Sequence, residues 1–195
     1  MHKGRLEAFS DGVVAILITI MVLELKVPHG ADFAALRPLL PVALSYLLSF
    51  VFLAIYWNNH HHLFQVAHRV NGGILWANVL LLFWLSLVPF VTAWMGDNFA
   101  PLPVALYGAV LMCAGIAYFI LAQLLIRLHG ADSTLALAIG NDFKGKISVV
   151  VDAVAIGLAF VDPRLACAGY VAIAILWLVP DRRIERLIGE PASPH

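Results

Sequence analysis

The sequence predicts an all-α fold, a bundle of six transmembrane helices that forms a single domain over residues 1–195. Two observations lead to this fold class. Hydrophobic residues make up 62% of the 195 residues and charged residues only 12%, whereas a soluble domain carries about 25% charged residues. The apolar residues are also collected in long runs, which short polar segments separate. This composition indicates an integral membrane protein and excludes a disordered chain.

The charge balance excludes one class of partner. Lysine and arginine number 12 and aspartate and glutamate also number 12, which gives a formal net charge of +0. A chain without a basic field has no long-range attraction for nucleic acid. The partner that the sequence predicts first is the lipid bilayer.

Six spans are predicted because a helix needs roughly 17–25 residues to cross the hydrocarbon core of a bilayer. They cover about residues 6–27, 38–58, 73–94, 102–128, 145–161 and 164–180. The first stops before Pro28. The second begins with Pro38 and Pro41, which an opening turn tolerates because its N–H groups have no partner within the helix. Pro89, near the end of the third span, predicts a kink there.

The last three spans differ in length. The fourth is the longest, and its small residues Ala105, Ala109, Cys113 and Ala117 recur every four positions, a spacing that permits close helix approach. The fifth and sixth are short, and lysines at the start of the fifth can extend it by reaching toward water. The sequence Asp162-Pro163 is typical of a tight turn, so these are two spans rather than one.

The basic residues predict the orientation of the bundle. Six spans place both termini on one side, and nine of the 12 basic residues then share that side: Lys3, Arg5, Arg69, Arg127, Lys144, Lys146, Arg182, Arg183 and Arg186. Lys26, Arg37 and Arg164 lie on the other side. Because cytoplasmic segments carry the excess of lysine and arginine, we expect a protein of the cell membrane with both termini in the cytoplasm.

The first span has two different faces. At about 100° per residue, Gly12, Ile16, Thr19 and Leu23 lie within about 60° of one another on a single stripe. Asp11 lies about 100° from that stripe, and residue 10 nearly opposite to it. On periodicity alone, such a stripe is more typical of lipid contact or helix packing than of a functional surface.

Asp11 needs a partner, because a charged side chain within a span typically costs about 2.5–3.5 kcal/mol near the helix centre. The segment 56–62 ends the second span on the same side and offers several donors, and Arg5 is a second candidate. A structural clamp between two helices is the simpler interpretation. A proton relay is the functional alternative.

The sequence His60-His61-His62 raises the question of a metal or haem site. Successive helical residues diverge by about 100°, so the three side chains cannot converge on one ion from a regular helix. We therefore expect hydrogen bonding near the membrane surface, with no metal and no cofactor. A haem-bearing oxidoreductase that uses His60 or His61 stays an alternative, which a Soret band would reveal.

A further alternative is a small proton-coupled transporter that uses Asp11, Asp152 and the histidines as a relay. Asp152 is an acid near the middle of the fifth predicted span. The sequence contains no Walker or zincin motif, either of which would indicate an enzyme. It also contains no TVGYG motif, which would indicate a carbonyl-lined selectivity filter.

Three motifs resemble those of one family. The string Arg5-x-x-x-Phe9-Ser10-Asp11-Gly12 is similar to the signature that opens the first helix of the transmembrane-protein-175 family, the lysosomal potassium channels and their bacterial homologues. Supporting matches are Tyr56-Trp57-x-x-His60-His61 and the run Leu85-Ser86-Leu87-Val88-Pro89-Phe90. The length of about 200 residues corresponds to one family repeat.

The resemblance implies a potassium-selective channel, not an enzyme, with K⁺ as the permeant ion. In the family, first helices of assembled subunits line the pore and a bulky apolar residue forms its constriction, which is Ile16 here. Thr19 and Leu23 would follow along the pore. The motif residues Arg5, Phe9, Ser10 and Asp11 would brace the pore helix, with His60 or His61 as partners on the second helix. One repeat per chain implies a homotetramer.

Overall fold

The computed structural model describes residues 3–130, 133, 136 and 143–178, and every regular element within them is helical. In chain order the elements are α1 (Lys3–Val22), a short 3-10 helix (Phe33–Leu39), α2 (Leu40–Val66), α3 (Gly72–Ser86), α4 (Val88–Asp97), α5 (Pro101–His129), α6 (Phe143–Leu158) and α7 (Pro163–Leu178). Only Leu87 separates α3 from α4. Among the described residues these elements form six helical rods, the number that the sequence predicts, and the rod made of α3 and α4 is interrupted.

Three of these rods are long and apolar enough to cross a membrane: residues 33–66, Gly72–Asp97 and Pro101–His129. Helix α7 is apolar but shorter. Helix α1 differs from them because charged residues occupy its first half. The arginines 182, 183 and 186, on which part of the orientation argument rests, lie outside the described residues.

The observed bounds differ from the predicted spans most clearly in the first two helices. Helix α1 ends at Val22 rather than Val27, because the amides of Leu23 and the next two residues bond to carbonyls three positions back, which tightens the chain into a turn. Helix α2 continues to Val66 instead of stopping at residue 58. No proline or glycine interrupts residues 58–66, so the three histidines belong to a regular helix.

The third predicted span is broken rather than kinked near its end. Leu87 caps α3, and its amide bonds to the carbonyl of Trp84. Pro89 then occupies the first turn of α4, where its missing N–H leaves no bond unmade. The proline therefore starts a new helix that continues to Asp97, beyond the predicted end of the span.

Helix α5 lies at the centre of the bundle, because it packs against α3, α4, α6 and α7. Small residues make this close packing possible: Ala105 and Ala117 of the predicted seam are buried, and Ala109 and Cys113 are half-buried. In a bilayer the hydrophobic effect gives little association between helices, so such close packing and interhelical hydrogen bonds hold the bundle together.

One buried polar cluster ties three helices of the core. The Ser49 hydroxyl on α2 lies 2.7 Å from the Thr92 hydroxyl on α4 and donates to the Tyr107 hydroxyl on α5 at 3.1 Å. All three side chains are buried. Helix α1 lies outside this core, packs against α2, α3 and α4, and leaves its other side uncovered.

Candidate functional site

Helix α1 has one packed face and one exposed face. The packed face consists of Leu6, Ser10, Val14, Leu17 and Met21, all buried against the bundle. On the other side Gly12 and Thr19 are exposed, Ile16 is 57% exposed and Leu23 is 78% exposed. The stripe predicted from periodicity is therefore the face of α1 that the rest of the described chain leaves uncovered.

The hydroxyl group of Thr19 has a defined direction. Its Oγ1 donates to backbone carbonyls of its own helix, that of Ile16 at 2.9 Å or that of Ala15 at 3.1 Å. The proton thus points at the backbone, and the oxygen lone pairs remain available on the exposed side. An oxygen acceptor presented in this way is suited to a cation.

Leu23 does not lie on a regular helix, although the predicted stripe treats it as helical. It lies one residue beyond the end of α1, in the turn where its amide bonds to the carbonyl of Ile20 at 3.0 Å. Its side chain is exposed like those of Ile16 and Thr19. The direction of its side chain is therefore set by this turn, and the helical repeat of α1 does not predict it.

The packed face of α1 is held by a directed chain of hydrogen bonds. Asn78 on α3 donates through Nδ2 to the Ser10 hydroxyl at 2.9 Å, and Ser10 in turn donates to the Leu6 carbonyl at 2.9 Å. The Asn78 amide oxygen lies 2.8 Å from Nε2 of His60 on α2. Because that oxygen can only accept, His60 carries a proton on Nε2. All three side chains are buried, and together they join α1, α2 and α3.

Asp11 pairs with a residue of the segment 56–62, the first source of donors that the sequence indicates, and not with Arg5. The indole Nε1 of Trp57 donates to Oδ1 of Asp11 at 3.0 Å. The His61 ring stacks on the Trp57 ring, with centroids 5.9 Å apart. Trp57 therefore contacts both Asp11 and His61. Its hydrogen bond to Asp11 forms a clamp between α1 and α2.

Arg5 and Phe9, which were predicted to brace the pore helix, are not part of the hydrogen-bonded network in this chain. The Arg5 side chain is exposed and makes no hydrogen bond or ion pair with any residue that the structure describes, so it does not neutralise Asp11 there. Phe9 is also exposed. The nearby ion pair joins Lys3 and Glu7 instead, at 3.7 Å.

Sequence reasoning did not identify Asn78, which is the centre of the network. An amide inside the apolar stretch from Gly72 to Ser86 is itself a signal, since a buried amide needs partners. Periodicity along α3 cannot say which residue of another helix supplies them. Trp57 likewise appears in the sequence as one donor among several.

The proposed proton relay is not assembled in the described part of the chain. Asp11 and His60 line a small cavity beside α1, whereas Asp152 lines a separate cavity beside α6. The hydrogen-bond partners of Asp11 and His60 are an indole and an amide, neither of which exchanges protons readily. No group of three or more potential metal ligands occurs among the described residues.

Comparison with known proteins places these features in a family. Residues 5–89 match the family described as "Endosomal/lysosomal potassium channel TMEM175". A relative from a Chryseobacterium species, named as a potassium channel, is 54% identical over 191 residues, which cover 97% of this chain and 100% of that protein. A Streptomyces collinus relative, also named as a potassium channel, is 31% identical over 188 residues, 90% of this chain and 91% of that protein.

A solved structure agrees with the fold. The crystal structure described as a lysosomal potassium-selective channel TMEM175 homolog from Chamaesiphon minutus aligns with a TM-score of 0.77 and 29% identity, covering 93% of this chain and 97% of that one. The match extends over nearly the whole chain. The chain therefore belongs to the TMEM175 family of membrane ion channels, which are not enzymes.

Proposed function

We propose that this protein is a potassium-selective channel of the cell membrane that assembles as a homotetramer around four copies of α1. One observation carries the proposal: α1 packs at the edge of the subunit and presents an uncovered face of apolar and hydroxyl side chains. The relatives named as potassium channels support the choice of ion.

Symmetry explains why several subunits are needed. A single peripheral helix encloses no space, whereas a closed ring of identical subunits brings the same face of each helix to a common axis. With α1 at the axis, α2, α3 and α4 pack against its side that faces away from the axis. The buried hydrogen bonds of Ser10 then fix the rotation of α1 about its own helix axis. Phe9 and Arg5, exposed in one subunit, then become available to a neighbouring one.

Ile16 forms the constriction in this proposal. Four isoleucine side chains around an axis make an apolar ring that can stop flow by dewetting. An ion passing the ring must give up part of its hydration shell, which favours the more weakly hydrated K⁺ over Na⁺. Four Thr19 hydroxyl oxygens, one turn further along, replace some of the lost water ligands. Leu23 narrows the pore again near its outer end.

The orientation follows from charge. Both termini face the cytoplasm, because six crossings return the chain to its starting side and most basic residues then lie on that side. A reporter protein fused to the C-terminus should be active only in the cytoplasm. Activity of a reporter that requires export would contradict this orientation.

Single-channel recording of the purified protein in planar bilayers tests the pore assignment. Ile16→Asn should hydrate the ring, raise the unitary current and weaken the preference for K⁺, which is read from the reversal potential under K⁺/Na⁺ gradients. Ile175→Asn is the matched control, because Ile175 on α7 is also 57% exposed. If a well-folded Ile16→Asn protein had the same current and selectivity as the unmodified protein, α1 would not form the constriction.

The assembly is tested separately by the mass of the purified protein in mild detergent. A species of four chains is expected. Monomers and dimers alone would contradict the ring of four α1 helices.

A further inference from the structure

A second cavity lies between helices other than α1. It has a volume of about 360 Å³ and is lined by residues of α2, α5, α6 and α7. Most of its wall is apolar and aromatic, with Phe52, Ile116, Phe119 and Ile173 among the lining residues. Small-molecule sites occupy cavities of about 300–1,000 Å³ that combine such walls with a few polar groups.

The main polar feature of this cavity is Asp152, which is only 6% exposed. Its Oδ1 is buried and has no hydrogen-bond partner among the described residues. A buried carboxyl group without partners is costly, and the large majority of buried side-chain polar atoms in native structures have at least one hydrogen-bond partner. Other polar groups in the wall are engaged: the Tyr56 hydroxyl donates to the Leu111 carbonyl, and the Ser148 hydroxyl to the Lys144 carbonyl.

The cations near the cavity lie at its other end. Lys146 lines it six residues before Asp152, which corresponds to about 9 Å along the helix. The ammonium group of Lys144 lies over the Trp177 ring, 5.9 Å from its centroid. The cavity therefore has a lysine-bearing end at the start of α6 and an acidic group deeper among apolar side chains.

We propose that this cavity binds a small amphiphilic amine, whose protonated nitrogen pairs with Asp152 and whose apolar body lies against the aromatic wall. The charge is complementary, and an ammonium group supplies the donors that the carboxyl group lacks. Rotation about the last side-chain torsion of aspartate, which is broad, can turn either oxygen toward the ligand. None of the cavity's lining residues belongs to the proposed pore stripe, so the site stands independently of the pore assignment.

Calorimetric titration of the full chain in lipid nanodiscs tests this site with two matched probes, 4-phenylbutylamine and 4-phenylbutan-1-ol. The two share the same apolar body, and the alcohol reports partition into lipid and apolar contacts. Pairing with Asp152 should make the amine bind about tenfold more tightly than the alcohol, a difference of about 1.4 kcal/mol. If the unmodified protein bound the amine and the alcohol with equal affinity, that result alone would overturn the proposal.

Three variants locate the binding. Asp152→Asn should remove the preference for the amine, and Asp97→Asn, at an exposed acid outside the cavity, should leave it unchanged. Gly115→Leu should weaken both probes by filling the cavity, since Gly115 lines it and faces the Tyr56 hydroxyl. An amine preference that survives in both Asp152→Asn and Gly115→Leu would place binding elsewhere and overturn the proposal.

Discussion

The side-chain amide of Asn78 donates a hydrogen bond to the hydroxyl of Ser10 at 2.9 Å, on the face of α1 that packs against the bundle. Thr19 lies nine residues after Ser10, which is about 180° around a regular helix. Holding Ser10 against α3 therefore turns Thr19 away from the bundle. The uncovered face of α1 thus lies opposite a buried face that Ser10 shares with four apolar residues.

Asn78→Ala should destabilise the bundle. The substitution leaves the Ser10 oxygen and His60 Nε2 without their partner, and each buried polar group left unsatisfied costs about 1–3 kcal/mol. We expect a lower midpoint of thermal unfolding in detergent. Asn58→Ala on α2 is the control, because Asn58 is exposed. Equal midpoints for the two variants would contradict a bracing role for Asn78.

Asp11→Ala should reduce assembly more than selectivity. The substitution removes the acceptor of the Trp57 indole and so loosens the clamp between α1 and α2, whereas Asp11 lies off the proposed pore stripe. Asp11→Asn retains an acceptor oxygen and should recover most of the tetramer yield, measured by size-exclusion chromatography. An Asp11→Ala protein that assembles normally but loses cation selectivity would show that Asp11 acts in the pore.

Thr19→Val should lower the K⁺ over Na⁺ preference without raising the unitary current. Valine keeps the shape of threonine and removes the oxygen that the exposed face presents. Thr19→Ser restores the hydroxyl and should restore the reversal potential measured under K⁺/Na⁺ gradients. If valine and serine variants gave the same reversal potential, the hydroxyl would have no part in selectivity.

Gly108→Ala should disrupt the contact between α5 and α7. A methyl group at this position would overlap the ring and hydroxyl of Tyr170, and overpacking a tight core costs about 1–3 kcal/mol. Gly115→Ala on the same helix is the control, since its methyl group would meet the nearest atom, the Tyr56 hydroxyl, at an ordinary 3.5 Å. Thermal unfolding should separate the two variants, and coincident midpoints would contradict the predicted overlap.

Local features of the sequence predicted much of the fold. The fourth span was expected at 102–128 and α5 covers Pro101–His129, because a long apolar run between a proline and a glycine defines its own ends. The separation of the last two helices was predicted from Asp162-Pro163, and α7 begins at Pro163, where the Asp162 carboxylate accepts from the Arg164 amide. The bounds of α1 and α2 were less accurate, because no proline or glycine stands where each helix ends.

The sequence by itself determined that the chain is a helical membrane protein and that Ile16 and Thr19 share one face of the first helix. Composition and helical periodicity are properties of consecutive residues, so they can be read without knowing the fold. Only the tertiary structure decided that Asn78 joins Ser10 to His60, that Trp57 rather than Arg5 pairs with Asp11, and that Asp152 faces a cavity. These relationships depend on which faces of distant helices meet, and interhelical packing, not local propensity, sets those faces.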